Sequence, residues 1–253
     1  MTDVTSELVH LTVDGPVATV TLDSPHNRNA LSRRLVTELA DRLERADADD
    51  DVRVVVVTSA DRVFCSGADL SEAAANGNSD GVQAIVGLQR FLVGMSKPAV
   101  AVVRGPVRAG GIGIVAACDI VVCADDATFA LTEVKLGLTP AVISLTVLPR
   151  LTSRAAAYTC LTGAPFTGTE AVAMGLVTRA VPTAELDDAA AAVCAELATG
   201  APQGLRETKA LLARDLLDRI DARADEMAEL SARLFASDAA REAMTAFLNR
   251  KKG

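Results

Sequence analysis

The sequence predicts an α/β fold in which a largely parallel sheet is followed by a helical region. Four consecutive valines within residues 53–59 form the kind of apolar run that fills a strand buried on both faces. Strand-like segments alternate with helical patterns through the first half of the chain, which is typical of βαβ units. Beyond about residue 144 the strand pattern gives way to alanine-rich helical stretches, which places the α/β core within roughly the first 140–150 of the 253 residues.

The first elements of the chain are predicted to be a hairpin and a helix. Segments 8–13 and 17–22 have strand composition, and the Asp-Gly-Pro sequence at 14–16 between them is a turn signal. Ser32 is a residue type that caps helices, and leucines then recur at every fourth position, which predicts a helix through about Asp47.

The next elements alternate between strands and helices. The valine strand at 53–59 is followed by a predicted helix at 82–93 and by buried strands at 99–103 and 120–123. The helical stretches of the second half are 153–161, 169–174, 186–197, 205–234 and 239–248. Within the longest of these, the charged residues, Lys209 among them, are predicted to lie on the solvated face.

Composition argues against several classes of function. A formal charge of −8 and the scarcity of aromatic residues, with no Trp and one Tyr, argue against nucleic acid as a partner and against attraction to anionic membranes. Five cysteines without a CxxC pair and two histidines without ligand spacing predict reduced thiols and no metal site. The chain shows no signal peptide and no apolar run of the roughly 18 residues that span a bilayer, so a cytoplasmic protein is expected.

Two buried strands lead into glycine-bearing turns that precede helical segments. The first turn holds residues 66–68 (Ser-Gly-Ala), and the second holds residues 109–111 (Ala-Gly-Gly). Such turns leave backbone N–H groups unpaired, and a helix N-terminus adds a positive dipole. Two N–H donors at neighbouring strand ends would converge on one anionic oxygen at the carboxyl edge of the sheet. The pattern alone leaves a second interpretation open, in which the glycines only permit tight turns and close packing.

Four segments resemble, in order and spacing, the motifs of the enoyl-CoA hydratase/isomerase (crotonase) family: 28–32 (Arg-Asn-Ala-Leu-Ser), 64–70 (Phe-Cys-Ser-Gly-Ala-Asp-Leu), 109–119 (Ala-Gly-Gly through Cys-Asp) and 129–133 (Phe-Ala-Leu-Thr-Glu). The resemblance covers nearly the whole chain. It implies a crotonase-like ββα spiral core over residues 1–190 and a C-terminal helical trimerisation region over residues 191–253. It also implies a homotrimer or hexamer that binds an acyl-CoA thioester.

The resemblance implies a site that stabilises a thioester enolate. The backbone N–H groups of Ala68 and Gly110 would form the oxyanion hole, and Glu133 would act as the acid/base. The remaining positions that the resemblance assigns to the CoA and acyl moieties are Ala30, Ser66, Gly67, Asp69, Leu70, Gly111, Gly113, Phe247 and Lys251. No metal or redox cofactor is expected, because CoA arrives as part of the substrate.

One of the family's two catalytic glutamates is missing. Family hydratases use a pair of glutamates, of which the second matches Glu133 and the first falls on Gly113. Family isomerases keep only the second, so a lone Glu133 favours an enoyl-CoA isomerase that moves a proton between Cα and Cγ. An atypical hydratase that relies on Glu133 alone is the alternative. A Gly113→Glu change would add hydration if the glycine turn tolerates a side chain.

Two further interpretations are left open by the residues. The missing glutamate is compatible with a catalytically degenerate acyl-CoA-binding protein. Gly111, Gly113 and Ala116 fit a loose dinucleotide pattern, which would suggest an NAD-binding oxidoreductase, although seven residues separate Gly111 from the preceding strand. Cys65 is interpreted as a packing residue rather than a nucleophile, because the only two histidines lie near the N-terminus.

Overall fold

Strands and helices alternate along the chain, which a computed structural model describes at residues 7–69, 72 and 79–250. The strands are β1 (Val9–Asp14), β2 (Val17–Leu22), β3 (Val54–Ser59), β4 (Ala99–Val103), β5 (Val107–Arg108), β6 (Ile120–Ala124), β7 (Thr128–Ala130), β8 (Phe166–Thr167) and β9 (Arg179–Val181). The helices are α1 (Arg33–Ala48), α2 (Ser79–Gly94), α3 (Gly110–Ala117), α4 (Ser144–Arg150), α5 (Ser153–Thr162), α6 (Gly168–Met174), α7 (Leu186–Ala198), α8 (Pro202–Phe235) and α9 (Asp238–Arg250). A 3₁₀ turn at Glu133–Leu136 lies between β7 and α4.

The main sheet confirms the predicted α/β architecture. Its strand order is β1-β2-β3-β4-β6-β9, and every neighbouring pair except the β1–β2 hairpin is parallel. The four-valine strand β3 and its neighbour β4 are central and almost wholly buried, as expected for strands covered on both faces. Val55 pairs with Ala99, so the carboxyl ends of the two strands lie side by side. The two glycine turns therefore emerge at the same edge of the sheet.

Strands in the second half of the chain overturn one sequence expectation. β8 pairs antiparallel with β7 in a three-stranded sheet of order β5-β7-β8, and β9 adds a parallel strand to the main sheet beside β6. The α/β part thus extends beyond the predicted limit near residue 150. The prediction was wrong because β8 and β9 are only two and three residues long, too short for an alternation of apolar and polar residues to be recognised.

The helix after the hairpin is capped as predicted. Ser32 Oγ accepts a hydrogen bond from the Leu35 N–H at 3.3 Å, and α1 ends at Ala48. The leucines that recur along this helix are fully buried where it packs against β1 and β2. The four-residue spacing of these leucines therefore marks the face that α1 turns to the core.

The long helix α8 is joined to the core by a buried lysine. Lys209 was predicted to be solvated, but only 5% of it is exposed. Its Nζ donates to the carbonyls of Leu92 at 2.9 Å and Lys97 at 3.0 Å, and to Asp119 Oδ2 at 2.7 Å. Asp119 Oδ2 also accepts from the Ala99 N–H at 2.7 Å, so the ion pair ties α8 to the end of α2 and to β4. The prediction was wrong at this position because α8 packs along α2 there.

The C-terminal helices pack on the same core as the rest of the chain. α8 lies against α2 and α4, and α9 lies against the Glu133–Leu136 turn. The division of the chain at residue 190 and the role of the second part in trimerisation stay predictions. Within the described residues, no helix combines the length and the apolar character that crossing a membrane requires.

Candidate active site

The two glycine turns meet at the edge of the main sheet. The Arg108 N–H donates to the Cys65 carbonyl at 2.9 Å and joins the two turns through their backbones. The turns touch where Gly67 lies against Ala109, since a Cβ on Gly67 would stand 3.1 Å from the Ala109 Cβ. Gly67 has a φ of +96°, a backbone conformation that glycine adopts without strain. The predicted convergence of the two turns is therefore present in the fold.

Each turn presents an unpaired backbone N–H group at a residue that borders the cavity. Within the part of the chain that the structure describes, the N–H groups of Ala68 and Gly110 have no hydrogen-bond acceptor. The first turn is held in place by the Leu31 N–H, which donates to the Gly67 carbonyl at 2.8 Å. Gly110 is the first residue of α3, where N–H groups lack a partner inside the helix. Both donors border one cavity, as an oxyanion hole requires.

The cavity between the turns has a volume of about 490 Å³. The predicted residues that line it are Ala30, Ser66, Gly67, Ala68, Asp69, Gly110 and Glu133. The sequence had not indicated a set of apolar lining residues, which are Val82 and Ile85 of α2, Val142 and Ile143 before α4, and Phe235 at the end of α8. The cavity is thus lined both by the polar backbone of the turns and by apolar side chains.

Glu133 stands at the start of the 3₁₀ turn, three residues after the end of β7. β7 pairs with β5 through Arg108 and Ala130, and the Ala109 N–H donates to the Ala130 carbonyl at 3.2 Å. This pairing brings Glu133 to the second glycine turn. Burial raises the pKa of the Glu133 carboxyl to about 7, and its Oε2 has no hydrogen-bond partner in the described part of the chain. Glu133 is therefore a buried carboxyl at the cavity wall and not a solvated surface charge.

Asp69 also lines the cavity, but its carboxylate is engaged. Asn27 Nδ2 donates to Asp69 Oδ2 at 3.3 Å, and the Glu72 N–H donates to Asp69 Oδ1 at 3.2 Å. Both carboxylate oxygens of Asp69 therefore accept hydrogen bonds from described residues. Glu133 differs from Asp69 because one of its oxygens is buried without a hydrogen-bond partner in the described part of the chain.

Two predicted glycines lie behind the cavity wall and do not line it. A Cβ on Gly111 would lie 2.6 Å from Cys65 Cβ, and a Cβ on Gly113 would lie 2.6 Å from Ile143 Cγ2. Gly113 belongs to the body of α3 rather than to a turn, and Gln89 Oε1 would also be 3.1 Å from its added Cβ. The condition set for Gly113→Glu, that a glycine turn tolerates a side chain there, is therefore not met, because helix packing fills the space.

The C-terminal part of the chain reaches the cavity at a position that the sequence did not indicate. Phe235, in the last turn of α8, lines the cavity, but no motif surrounds it. The predicted position Phe247 lies within α9. The predicted positions Leu70 and Lys251 lie outside the described residues. Only the long helical pattern of the region could have suggested that it approaches the site.

Cys65 is a packing residue, as the sequence predicted. Complete burial raises the pKa of its thiol to about 12, so the thiol stays protonated at neutral pH. Its Sγ accepts a hydrogen bond from the Gly67 N–H at 3.4 Å and so supports the first turn. Of the two histidines, His10 is paired with Asp23 at 3.0 Å, and His26, which lines the cavity, has its Nδ1 3.4 Å from Ser24 Oγ. A thiolate nucleophile therefore has no support in this site.

Comparisons with known proteins find one family over almost the whole chain. The family model described as enoyl-CoA hydratase/isomerase matches residues 12–253. A carnitinyl-CoA dehydratase of Proteus mirabilis is 32% identical over 209 residues, which cover 81% of this chain and 79% of that protein. A peroxisomal Delta(3,5)-Delta(2,4)-dienoyl-CoA isomerase of Arabidopsis thaliana is 29% identical over 265 residues, which cover 98% of this chain and 95% of that protein. The crystal structure of an enoyl-CoA hydratase from Mycobacterium avium covers 97% of each chain, with a TM-score of 0.91 and 44% identity.

Proposed function

Because the chain belongs to the enoyl-CoA hydratase/isomerase family, we propose that it is an enoyl-CoA isomerase that works with one glutamate, Glu133. One observation carries this choice within the family. Glu133 Oε2 is buried at the cavity without a hydrogen-bond partner among the described residues. A buried carboxyl with an unpartnered oxygen, on the same cavity as two unpaired backbone donors, suits proton transfer at a carbon next to a thioester.

The N–H groups of Ala68 and Gly110 would bind the thioester oxygen. When a proton leaves Cα, negative charge moves onto this oxygen, and the two donors stabilise it. One donor of this kind typically lowers the barrier by about 3–4 kcal/mol. The backbone hydrogen bonds that join the two turns support this role, because they fix the donors before the substrate binds.

Glu133 would carry the proton from one carbon to the other. Its carboxylate removes a proton from Cα of a 3-enoyl thioester, and the electron pair moves onto the thioester oxygen as a dienolate. The protonated carboxyl then returns the proton to Cγ, and the double bond shifts from C3–C4 to C2–C3. A pKa of about 7 supports this cycle, because the group is close to balance between its two protonation states at neutral pH.

The wall beside α3 favours isomerisation over hydration. Gly113, the position of the missing glutamate, is packed against Ile143 and Gln89. Ile143 also lines the cavity. The neighbouring lining residues Val82, Ile85 and Val142 are apolar, so this wall offers no carboxylate to hold and activate a water. Hydration is the second candidate, because several relatives, including the Mycobacterium avium protein, are named hydratases.

The proposed enzyme would act as a homotrimer or hexamer in the cytoplasm, with CoA entering as part of the substrate and no other cofactor. Exposed apolar side chains on two helices support self-association: Tyr158 and Leu161 on α5, and Leu211 and Leu212 on α8. Light scattering after size exclusion tests the assembly. A mass of three or six times the 26.2 kDa chain is expected, and a monomer at micromolar concentration would contradict it.

The decisive experiment offers the purified protein a panel of 3-enoyl-CoA and 2-enoyl-CoA thioesters and separates the products by mass and retention. Migration of the double bond without a change in mass is the expected result. A gain of one water would replace the isomerase by the single-glutamate hydratase. Binding without turnover would favour the degenerate acyl-CoA-binding protein.

The matched variant for this panel is Glu133→Gln, which keeps the size of the side chain but cannot take up the proton. We expect turnover to fall by about 10²–10⁴-fold, which is the typical contribution of general acid–base catalysis. Asp69, the other acidic residue that lines the cavity, is engaged in hydrogen bonds. Acyl-CoA affinity, measured by calorimetry, should stay within about threefold because backbone groups provide much of the binding. Equal losses in turnover and affinity would contradict the catalytic role of Glu133.

A further inference from the structure

Ala109 has a backbone conformation that L-amino acids rarely adopt. Its φ is 45° and its ψ is −117°. Arg28 also has a positive φ, but its ψ of 47° lies in the ordinary left-handed region. The ψ of Ala109 lies far from that region, in a part of conformational space where glycine is the usual residue because a Cβ meets the backbone. An alanine at this position is therefore under strain.

The strained conformation is enforced by backbone hydrogen bonds on both sides of Ala109. Its N–H donates to the Ala130 carbonyl at 3.2 Å, and its carbonyl accepts from the Ile112 N–H at 2.8 Å. The residue before it, Arg108, donates its N–H to the Cys65 carbonyl at 2.9 Å. These bonds anchor Ala109 to β7, to α3 and to the first glycine turn. The surrounding fold thus determines the conformation at the expense of local strain.

The ψ angle of Ala109 sets the direction of the Gly110 N–H, because both belong to the peptide unit that joins the two residues. Relaxation from −117° to the α-helical value of about −42° would already rotate that N–H by about 75°. Relaxation to the β region would rotate it further. The strained angle therefore determines whether this donor points toward the cavity.

The side chain of Ala109 contacts the turn that carries the other donor. A Cβ on Gly67 would lie 3.1 Å from the Ala109 Cβ and 3.5 Å from the Arg108 carbonyl oxygen, so the alanine methyl lies directly over Gly67. The next peptide unit along the chain carries the Ala68 N–H. Ala109 thus touches the first donor's turn through its methyl and orients the second donor through its backbone.

We propose that Ala109 is a positioning residue that aligns the two backbone donors on one thioester oxygen. Its strained ψ points the Gly110 N–H into the cavity, and its methyl fixes the separation of the two turns. The inference rests on the proposed function, because it requires a thioester oxygen between Ala68 and Gly110. It goes beyond that function in assigning the alignment to a residue that makes neither of the two hydrogen bonds.

The test is Ala109→Gly, which removes the methyl that lies between the two turns. Glycine adopts the φ and ψ of this position without strain, so the variant should fold. The matched control is Ala127→Gly, which removes the methyl of a fully buried loop alanine that does not line the cavity. Each protein is saturated with a non-reacting saturated acyl-CoA labelled with ¹³C at the thioester carbonyl. The carbonyl stretching frequency of the bound thioester then reports how strongly the two donors polarise it, without any turnover.

We expect the bound carbonyl of the wild type and of Ala127→Gly to shift to lower frequency, and Ala109→Gly to lose part of that shift. We also expect kcat for the 3-enoyl-CoA to fall about tenfold in Ala109→Gly, less than the 10²–10³-fold typical of removing a donor outright. KM and the affinity for the saturated acyl-CoA should change by less than about twofold, and the melting temperature should not fall.

The outcomes separate this inference from the proposed function. An identical carbonyl shift and kcat in Ala109→Gly and wild type would overturn the role of Ala109 and leave the proposed function standing. A carbonyl shift that is absent from the wild type would overturn the oxyanion hole and the role of Ala109 together. A parallel loss of kcat, affinity and melting temperature in both glycine variants would identify the alanine methyls as packing groups only.

Discussion

At the scale of the single residue, the burial of Glu133 links its chemistry to its effect on stability. Its pKa is raised from 4.5 to about 7 in the folded protein because burial disfavours the charged form. Between these two pH values the folded chain binds more protons at this group than the unfolded chain does. The contribution of Glu133 to stability therefore falls as the pH rises through this window. A carboxyl that served only packing or solubility would not be expected to be buried at such a cost in folding stability.

The same shift predicts how activity depends on pH. In the proposed isomerisation of a 3-enoyl-CoA, Glu133 must first be the carboxylate, which is the minor form below its pKa of about 7. We expect kcat/KM to rise about tenfold between pH 5 and pH 6 and to level off above pH 7. Initial rates at a fixed low substrate concentration give this profile, and circular dichroism at each pH checks that the protein stays folded. A profile with its midpoint near 4.5, or a flat one from pH 5 to pH 8, would contradict the assignment.

At the scale of the element, α8 has two separate tasks at its two ends. Near its start, Lys209 forms a buried ion pair with Asp119 and also donates to two backbone carbonyls. At its end, Phe235 lines the cavity. A straight helix of 34 residues spans roughly 50 Å, so one rigid element connects the base of the core to the apolar wall of the site.

The ion pair predicts a large effect on stability. Lys209→Met should lower the free energy of unfolding by about 3–5 kcal/mol, because it leaves Asp119 and two carbonyls without their buried donor. Urea unfolding followed by circular dichroism measures the loss. The matched control is Arg90→Met, which removes an exposed ion pair between α2 and α8, with Arg90 Nε 2.6 Å from Asp221 Oδ1. The control should lose much less, because solvent screens its charges, and equal losses would contradict the role given to Lys209.

The other end of α8 predicts a change in substrate preference. Phe235→Ala enlarges the apolar side of the cavity, so longer acyl chains should gain in kcat/KM relative to a four-carbon chain, by about tenfold for a few added methylenes. A series of 3-enoyl-CoA substrates of increasing length measures the shift. Arg233→Ala, an exposed change in the same turn, provides the control and should leave the preference unaltered. An unchanged preference in Phe235→Ala would mean that this ring does not meet the acyl chain.

At the scale of the whole molecule, the sequence predicts what depends on local patterns and misses what depends on long-range packing. The valine strands and the two glycine turns can be predicted because the pattern that identifies each lies within a few consecutive residues. Strands β8 and β9 are too short to show a periodic pattern in the sequence. Lys209 has the sequence context of an ordinary exposed charged residue, and only the packing of α8 against α2 explains its burial. Phe235 reaches the cavity only because α8 packs on the core, which no local pattern reveals.

Gly113 shows why a missing catalytic group cannot be read from its position alone. The sequence suggests a turn in which a glutamate could be restored, but the fold places Gly113 inside α3, where its Cα is enclosed by Ile143 and Gln89. The space that a side chain at position 113 would occupy is therefore filled by packing between α2, α3 and the segment before α4. We therefore expect that the preference for isomerisation over hydration depends on the packing of these three elements and not on residue 113 alone.

This packing leads to a prediction about converting one activity into the other. Gly113→Glu alone should lose at least about 2 kcal/mol of stability by overpacking and burying a carboxyl, and should not add water to a 2-enoyl-CoA. Adding Ile143→Gly removes the atoms 2.6 Å and 3.0 Å from the new Cβ, so the double variant should recover stability and gain hydration. Mass analysis of the products and urea unfolding measure the two effects, with Ile143→Gly as the control. Hydration by Gly113→Glu alone would show that α3 can move aside. A stable double variant without hydration would show that a second carboxylate is not sufficient to activate water in this cavity.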